Sequence, residues 1–283
     1  MKKLITLFLV ALMVITACFG LTACKKEADN PVIVKDLVLV EEQYGIAAKK
    51  GNDALISKIN EALIAIADTK YQSVARNYGL TSELAVTSQT VNPLAGATDS
   101  SWTDLVSRQQ VIIGYTIFAP IAYDVKNDIP TKGFDIELAK EVFNYLNQTY
   151  STSIEVQFLK IEWSAKETLL AGNSIDLVWN GLTITPGRLA EMCISVPYLN
   201  NKQVALVLNS NASKYTTIES MANCIAGAED GSAGEEAIET NNIGKEYIPY
   251  NSQLDAFNQL KAKTVDVIVI DSVMANYYIS QQK

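Results

Sequence analysis

The sequence predicts an α/β protein with parallel sheets joined by right-handed crossovers. Two observations predict it. From about residue 103 onward, short apolar runs that read as strands alternate with stretches carrying apolar residues at helical spacing. In addition, 48% of the 283 residues are apolar. That is enough for one large globular unit or two lobes, and too much for a disordered chain.

Taken in order, the chain opens on Met1-Lys2-Lys3 and an apolar run at residues 4–17, followed by Leu21-Thr22-Ala23-Cys24. The run is short for a membrane span and suits a signal peptide over residues 1–23. LTAC resembles a bacterial lipobox, which implies that Cys24 carries a lipid and anchors the chain on the outer face of a bacterial cytoplasmic membrane. Residues 24–30 form a tether, and residues 33–40 read as one extended apolar run. Asn52-Asp53 cap a helical pattern with Leu55, Ile59, Leu63 and Ile66 on one face, fading near Tyr78-Gly79. Residues 81–101 are rich in Ser, Thr, Ala and Gly and read as a linker.

The alternation follows. Strands are expected at 111–115, 154–159, 175–180, 203–209, 224–228 and 265–270. Helices are expected at Phe134–Tyr150, 164–172 and 253–263, with Asp271 opening a last one. The first carries Ile136, Ala139, Val142, Phe143 and Leu146 on one stripe. In such sheets ligands sit beyond the carboxyl ends of the strands.

Composition excludes much chemistry. Asp plus Glu number 31 against 23 Lys plus Arg, a net charge of −8 that disfavours nucleic-acid partners. The absence of histidine removes Ser-His-Asp and Cys-His nucleophiles and imidazole metal sites. No glycine-rich nucleotide loop is present, and no cofactor is expected. Cys18 lies in the signal peptide. Cys193 and Cys224 are left for a disulfide or, more simply, two buried thiols.

Polar residues collect at predicted strand ends. Asn180, Gly181 and Thr183 end one strand, with Arg188 in the turn beyond, and Asp271 ends another. An Arg that grips a carboxylate bidentately and an Asp that holds an ammonium suit a zwitterionic α-amino acid.

The segments IGYTIFAPIAY (113–123), KGFDIELAKEVFNYL (132–146), EWSAKETLLAGNSIDLVWNGLTITPGR (162–188), DGSAGEEA (230–237) and FNQLKAKTVDVIVIDSVMANYY (257–278) resemble the bacterial extracellular solute-binding proteins, family 3, of polar amino-acid ABC importers. The resemblance implies a two-lobed, type II periplasmic-binding-protein-like clamshell with two hinge strands. Such a protein is not an enzyme. It acts as a monomer, closing on one polar amino acid or cystine and presenting it to a permease with its ATPase. It also implies roles: Arg188 for the α-carboxylate, Asp271 for the α-ammonium, and Ser232 and Ala233 as a helix N-terminus offering N–H groups. Phe118 and Trp163 sandwich the aliphatic part, and Asn180, Gly181 and Thr183 line the pocket. Tyr115 and Glu229 depart from the family pattern where side chains of ligands are touched. Trp179 is expected to pack inward and Asp135 to be structural.

The order of segments is unusual. EEQYGIAAKKGNDALISKINEALIAI (41–66) resembles the family's last hinge and helix, yet stands before everything else. We read this as a circular permutation rather than an unrelated module ahead of a truncated protein. Lobe 1 is then 44–80 plus 103–198, and lobe 2 is 31–40 plus 203–283. The hinges lie near 40–44 and 198–203, and residues 81–102 join the family's usual ends, a flexible coil spanning about 25 Å. The alternatives in function are a dehydratase of cyclic acids on the same fold, or a ligand-sensing co-receptor.

Overall fold

The computed structural model describes residues 29–282. The signal peptide, Cys18, Cys24 and most of the tether lie outside the described residues. Among the described residues no helix is long and apolar enough to cross a membrane.

The chain enters as β1 (Pro31–Ile33) and continues into β2 (Val40–Lys49). The expected single run over 33–40 is broken between them, where Asp36 takes φ 58°. Val34 N and Leu39 N still donate to Ala205 O and Gln203 O, so the bulge is pinned at both ends. Helix α1 (Asp53–Ala65) buries Leu55, Ile59 and Leu63 on one side. A π-helical turn (Ala67–Tyr71) then leads into α2 (Gln72–Tyr78), which ends at left-handed Gly79.

Residues 81–100 form almost no regular structure, but they are not a loose linker. Ala85 N donates to Tyr198 O, and Leu84 bridges to Leu199. Asn92 Nδ2 donates to Ser57 O, and Asp99 Oδ2 accepts from Ala54 N at the start of α1. The polar composition that reads as flexibility supplies acceptors for helix N–H groups that have no partner within the helix. Val86, inside the segment, is buried.

Beyond it come α3 (Ser101–Arg108), β3 (Gln110–Tyr115), the hairpin β4 (Tyr123–Lys126) and β5 (Ile129–Lys132), α4 (Phe134–Tyr150) and β6 (Glu155–Lys160). A 3-10 turn (Trp163–Ala165) precedes α5 (Lys166–Ala171), followed by β7 (Leu177–Thr183), α6 (Pro186–Glu191), β8 (Met192–Ile194) and β9 (Leu199–Leu208). The last part is β10 (Ile225–Glu229), α7 (Ala233–Asn241), β11 (Glu246–Tyr250), α8 (Gln253–Lys261), β12 (Val267–Asp271) and α9 (Ser272–Ser280).

The main sheet runs β11-β10-β12-β9-β2-β7-β3-β6, with β1 on β9 and β8 on β2. Its two ends are parallel: β6, β3 and β7 at one, β11, β10 and β12 at the other. Antiparallel β2 and β9 join them. β2 pairs with β9 at Val40–Tyr44 and with β7 from Tyr44 onward, while β9 pairs with β12 from Gln203 to Val207. Each therefore belongs to both halves, and the molecule has two lobes.

Each half is covered on both faces, as parallel strands require. In the second, Val204, Leu206, Ile268 and Ile270 pack under α8, while Ala205, Val207, Val267 and Val269 pack under α7. In the first, Trp179 and Tyr198 sit in a core completed by α1 and α4. Each fully buried Leu or Ile contributes roughly 1.5–3 kcal/mol through removal from water. Cys193 and Cys224 are both buried and free.

Candidate functional site: a cleft between the lobes

The carboxyl ends of the strands meet across a narrow cleft. Thr116, Phe118, Trp163, Asn180, Gly181, Thr183 and Arg188 line it from the first lobe. Glu229, Ser232, Ala233, Gln253 and Asp271 line it from the second. The enclosed space is about 10 Å³, room for roughly one water molecule.

On the first wall, Gly181 lies in left-handed backbone at φ +67°, and a Cβ there would stand 2.6 Å from Phe118 Cε1. Only glycine lets the aromatic ring lie on the strand end. The Gly181 N–H donates to Asp135 Oδ2 at 3.0 Å, and Tyr198 OH donates to the same oxygen at 2.7 Å. Burial pushes Asp135 up to about 7. Asp135 is thus structural, in the first turn of α4. Asn180 Nδ2 donates to Thr116 Oγ1, which fixes the amide. Trp179, one residue before, is wholly buried in the core, as strand alternation requires.

Arg188 springs from short α6, whose N-cap Thr185 accepts from the Arg188 N–H. Its Nη1 donates to Thr183 O at 2.8 Å, and its Nη2 crosses the cleft to Gly231 O at 3.2 Å. Lys166 Nζ donates to the same carbonyl at 3.1 Å and lies 4.8 Å from the centroid of the Trp163 ring. Two cations thus converge on one neutral acceptor. Burial, and then the charge of Arg188, holds Lys166 below its usual range.

The second wall is acidic. Asp271 ends β12 and accepts hydrogen bonds from Tyr44 OH, Asn201 Nδ2, Gln203 Nε2 and Gln253 Nε2. Its own N–H donates to Gln253 Oε1. Glu229 ends β10, and its buried Oε1 has no hydrogen-bond partner. Burial, reinforced by the charge of Asp271, pushes Glu229 up to about 8. Ser232 Oγ caps α7 by accepting from Gly234 N and Glu235 N. Glu235 Oε2 accepts from Gly231 N, a capping box displaced by one residue.

One expected site residue lies elsewhere. Tyr115 is fully buried, packs edge-on against Phe158 and donates from its hydroxyl to Asp128 O. Strand alternation turns it away from the cleft, and Thr116, the next residue, faces in. Six cleft residues or supports escape the sequence reading: Thr116, Lys166, Gln253, Tyr44, Asn201 and Gln203. Lys166 follows Trp163 at i+3 in W-S-A-K, the spacing that lays an ammonium over a ring on a helical turn. Nothing local marks Gln253 or Tyr44, which reach Asp271 from distant parts of the chain.

Two α/β lobes that share two crossing strands around a polar cleft define a clamshell of the periplasmic-binding-protein type. Residues 111–266 match the sequence profile of the bacterial extracellular solute-binding proteins, family 3, and this chain belongs to that family. It is 24% identical over 147 residues to ABC transporter arginine-binding protein 1 of Escherichia coli, covering 52% of this chain and 57% of that protein. The chain thus spans about half the length of the curated relatives it matches. An ABC uptake transporter substrate-binding protein from Streptococcus pneumoniae with bound histidine has a TM-score of 0.58 and 33% identity, covering 65% of this chain and 74% of that one. The ancestral amino acid-binding protein AncCDT-1, described as a precursor of cyclohexadienyl dehydratase, has a TM-score of 0.58 and 25% identity, over 64% and 78%.

Proposed function

We propose that this protein is the substrate-binding lipoprotein of an amino-acid ABC importer. It captures a free α-amino acid between its lobes and delivers it to a membrane permease driven by an ATPase. The observation that carries the reading is the placement of Arg188 and Asp271 on opposite walls of one cleft, between Phe118 and Trp163. The α-carboxylate takes Arg188 and the N-terminus of α7 at Ser232 and Ala233. Asp271 takes the α-ammonium, with Asn180, Gly181 and Thr183 completing the wall. Glu229 faces the ligand side chain and favours a polar or cationic one. A cleft of about 10 Å³ admits no amino acid until the lobes part, so capture is a hinge transition about β2 and β9.

The segment order supports the circular permutation: β2, early in the chain, occupies the centre of the sheet between β9 and β7. Lobe 1 is then 44–80 plus 103–198 and lobe 2 is 31–40 plus 203–283, with residues 81–102 joining the family's usual ends. The signal peptide and the lipid on Cys24 place the protein outside the cytoplasmic membrane, held near the second lobe. Asp29 supports that placement, since it accepts from Ser210 N and from Lys263 Nζ on that lobe.

A thermal-denaturation screen of the mature chain, Cys24 removed, against the twenty amino acids and cystine tests the reading. Ligand at about 100 times its Kd adds roughly 2.7 kcal/mol. A rise in Tm that disappears in Arg188→Ala and in Asp271→Ala is the expected result, and no rise with any of them overturns it. One observation favours a second reading, an acid–base enzyme: Glu229 is a buried acid that keeps its proton near neutral pH inside the cleft. Turnover of a cyclohexadienyl acid, lost in Glu229→Gln, would establish that instead.

A further inference from the structure

Behind Asp271, away from the cleft lining, stands a second carboxyl that the capture reading leaves unused. Glu42 lies on β2 where that strand pairs with β9, and it is buried. Its Oε1 accepts from Asn201 Nδ2 at 2.5 Å and from Gln203 Nε2 at 2.9 Å. The same two amide nitrogens donate to Asp271 Oδ1, at 2.5 and 3.1 Å. Two buried carboxyls therefore share one pair of donors, which sets them side by side.

Two buried carboxyls set this close on the same donors cannot both be ionised, so one of them carries a proton. Asp271, with four donors directed at it, is built to be the acceptor. Glu42 has donors on Oε1 alone, and its Oε2 is buried with no hydrogen-bond partner. Burial, and then the charge of Asp271, pushes Glu42 up to about 8. The other groups facing the pair are Tyr44 from β2, itself held in its neutral form by burial, and Arg188 from α6, whose charge is felt by both acids. Glu229, on β10, lies near Asp271 and is itself pushed towards its neutral form by burial and by the charge of Asp271. Glu41 and Lys202, the strand neighbours, pair with each other on the solvent side.

We propose that Glu42 is the proton-carrying partner of Asp271, and that arrival of the ligand's ammonium at Asp271 releases that proton from the hinge. The inference rests on the amino-acid capture reading. The ammonium supplies the positive charge that the shared proton supplied before. The O–H bond of Glu42 breaks, its proton passes to solvent, and the ammonium keeps all of its own. Glu42 is a positioning residue, since it acts on the ligand through Asp271. Glu42 lies on β2 and the donors it shares with Asp271 lie on β9, so the charge change falls where the two strands about which the lobes move are paired.

The test is calorimetric titration at pH 7 in two buffers of different ionisation enthalpy, which counts protons released per ligand. The probe is whichever of the twenty amino acids raises Tm most. The wild-type chain is expected to release up to one proton more than Glu42→Gln, an isostere of the protonated acid. Its affinity should climb with pH between 6 and 8 by up to about tenfold per unit more steeply than that of Glu42→Gln. Equal proton counts in the two proteins overturn the inference, as does a count that survives in Glu42→Gln and vanishes in Glu229→Gln. Binding by no amino acid overturns the capture reading and this inference with it. Infrared spectroscopy of the ligand-free chain gives a second measurement that is independent of affinity. Protonated-carboxyl absorption must be weaker in Glu42→Gln than in the wild type by one band, and that band must vanish on ligand addition; absorption unchanged by the substitution overturns the assignment.

Discussion

The two walls of the cleft treat charge in opposite ways. On the first, the Arg188 and Lys166 cations point at one backbone carbonyl, that of Gly231; Lys166 also pairs with Glu167 at 3.1 Å, while the Arg188 fork meets only the carbonyls of Thr183 and Gly231. On the second, the Asp271 carboxylate is surrounded by amide and phenol donors, while Glu229 in the wall and Glu42 behind it each keep an oxygen with no partner. Among the described residues Arg188 has no carboxylate within ion-pair distance and Asp271 has no cation. A carboxylate would serve the Arg188 fork better than two neutral carbonyls, because it can accept two parallel bonds and carries the opposite charge. Each wall is therefore incomplete in the sense that a zwitterion completes.

Removing the fork of the cationic wall is the strongest way to break this contrast. Arg188→Ala is expected to cost about 2–5 kcal/mol of binding, a loss of roughly thirtyfold or more in affinity by calorimetry. Arg188→Lys should recover only part of it, because an ammonium cannot form two parallel bonds. If Arg188→Lys binds as tightly as wild type, a point charge is all the wall provides.

The acidic wall is sharpened by pH. Glu229 and Asp135 have folded-state values raised to about 8 and about 7. A raised acid binds its proton more tightly folded than unfolded. Its contribution is therefore fully present below the unfolded value, near 4, and is lost as pH rises through the folded value. Stability of the ligand-free chain should fall between pH 5 and 8 by about 1.4 kcal/mol per unit for each such proton. Glu229→Gln should flatten that slope, and urea unfolding at several pH values measures it. An unchanged slope would mean that Glu229 is solvated in solution.

The smallest effect is expected at the cap between the walls. Ser232→Ala removes the acceptor for Gly234 N and Glu235 N and should cost about 1 kcal/mol of stability. That is a fall of roughly 2–4 °C in Tm. Its effect on ligand affinity should be below that of Arg188→Ala. A larger affinity loss than at Arg188 would move the carboxylate from the guanidinium to the helix terminus.

Local pattern made most of this legible. The apolar stripe of Phe134–Tyr150 coincides with α4, and Arg188, Asp271 and the WNGLT strand end do meet in one cleft. Two failures have physical causes. The family resemblance assigns Tyr115 to the cleft, but pleat alternation decides which residue of a strand end faces it, and that falls to Thr116. Residues 81–101 look flexible because they are rich in Ser, Thr, Ala and Gly. Asn92 and Asp99 hold the segment down, and only the position of α1 reveals it. The supports of Asp271 were illegible for a related reason: Tyr44, Asn201 and Gln253 converge from three separate stretches of sequence.

The three tryptophans are unequal witnesses to capture. Trp163 forms part of the cleft wall with the Lys166 ammonium against its ring. Trp179 is sealed in the core, and Trp102 packs on Tyr150 away from the cleft. Indole emission from this chain is therefore one responsive signal over two constant ones. With Trp102 and Trp179 replaced by phenylalanine, the protein becomes its own optical gauge of an occupied cleft, with no label attached.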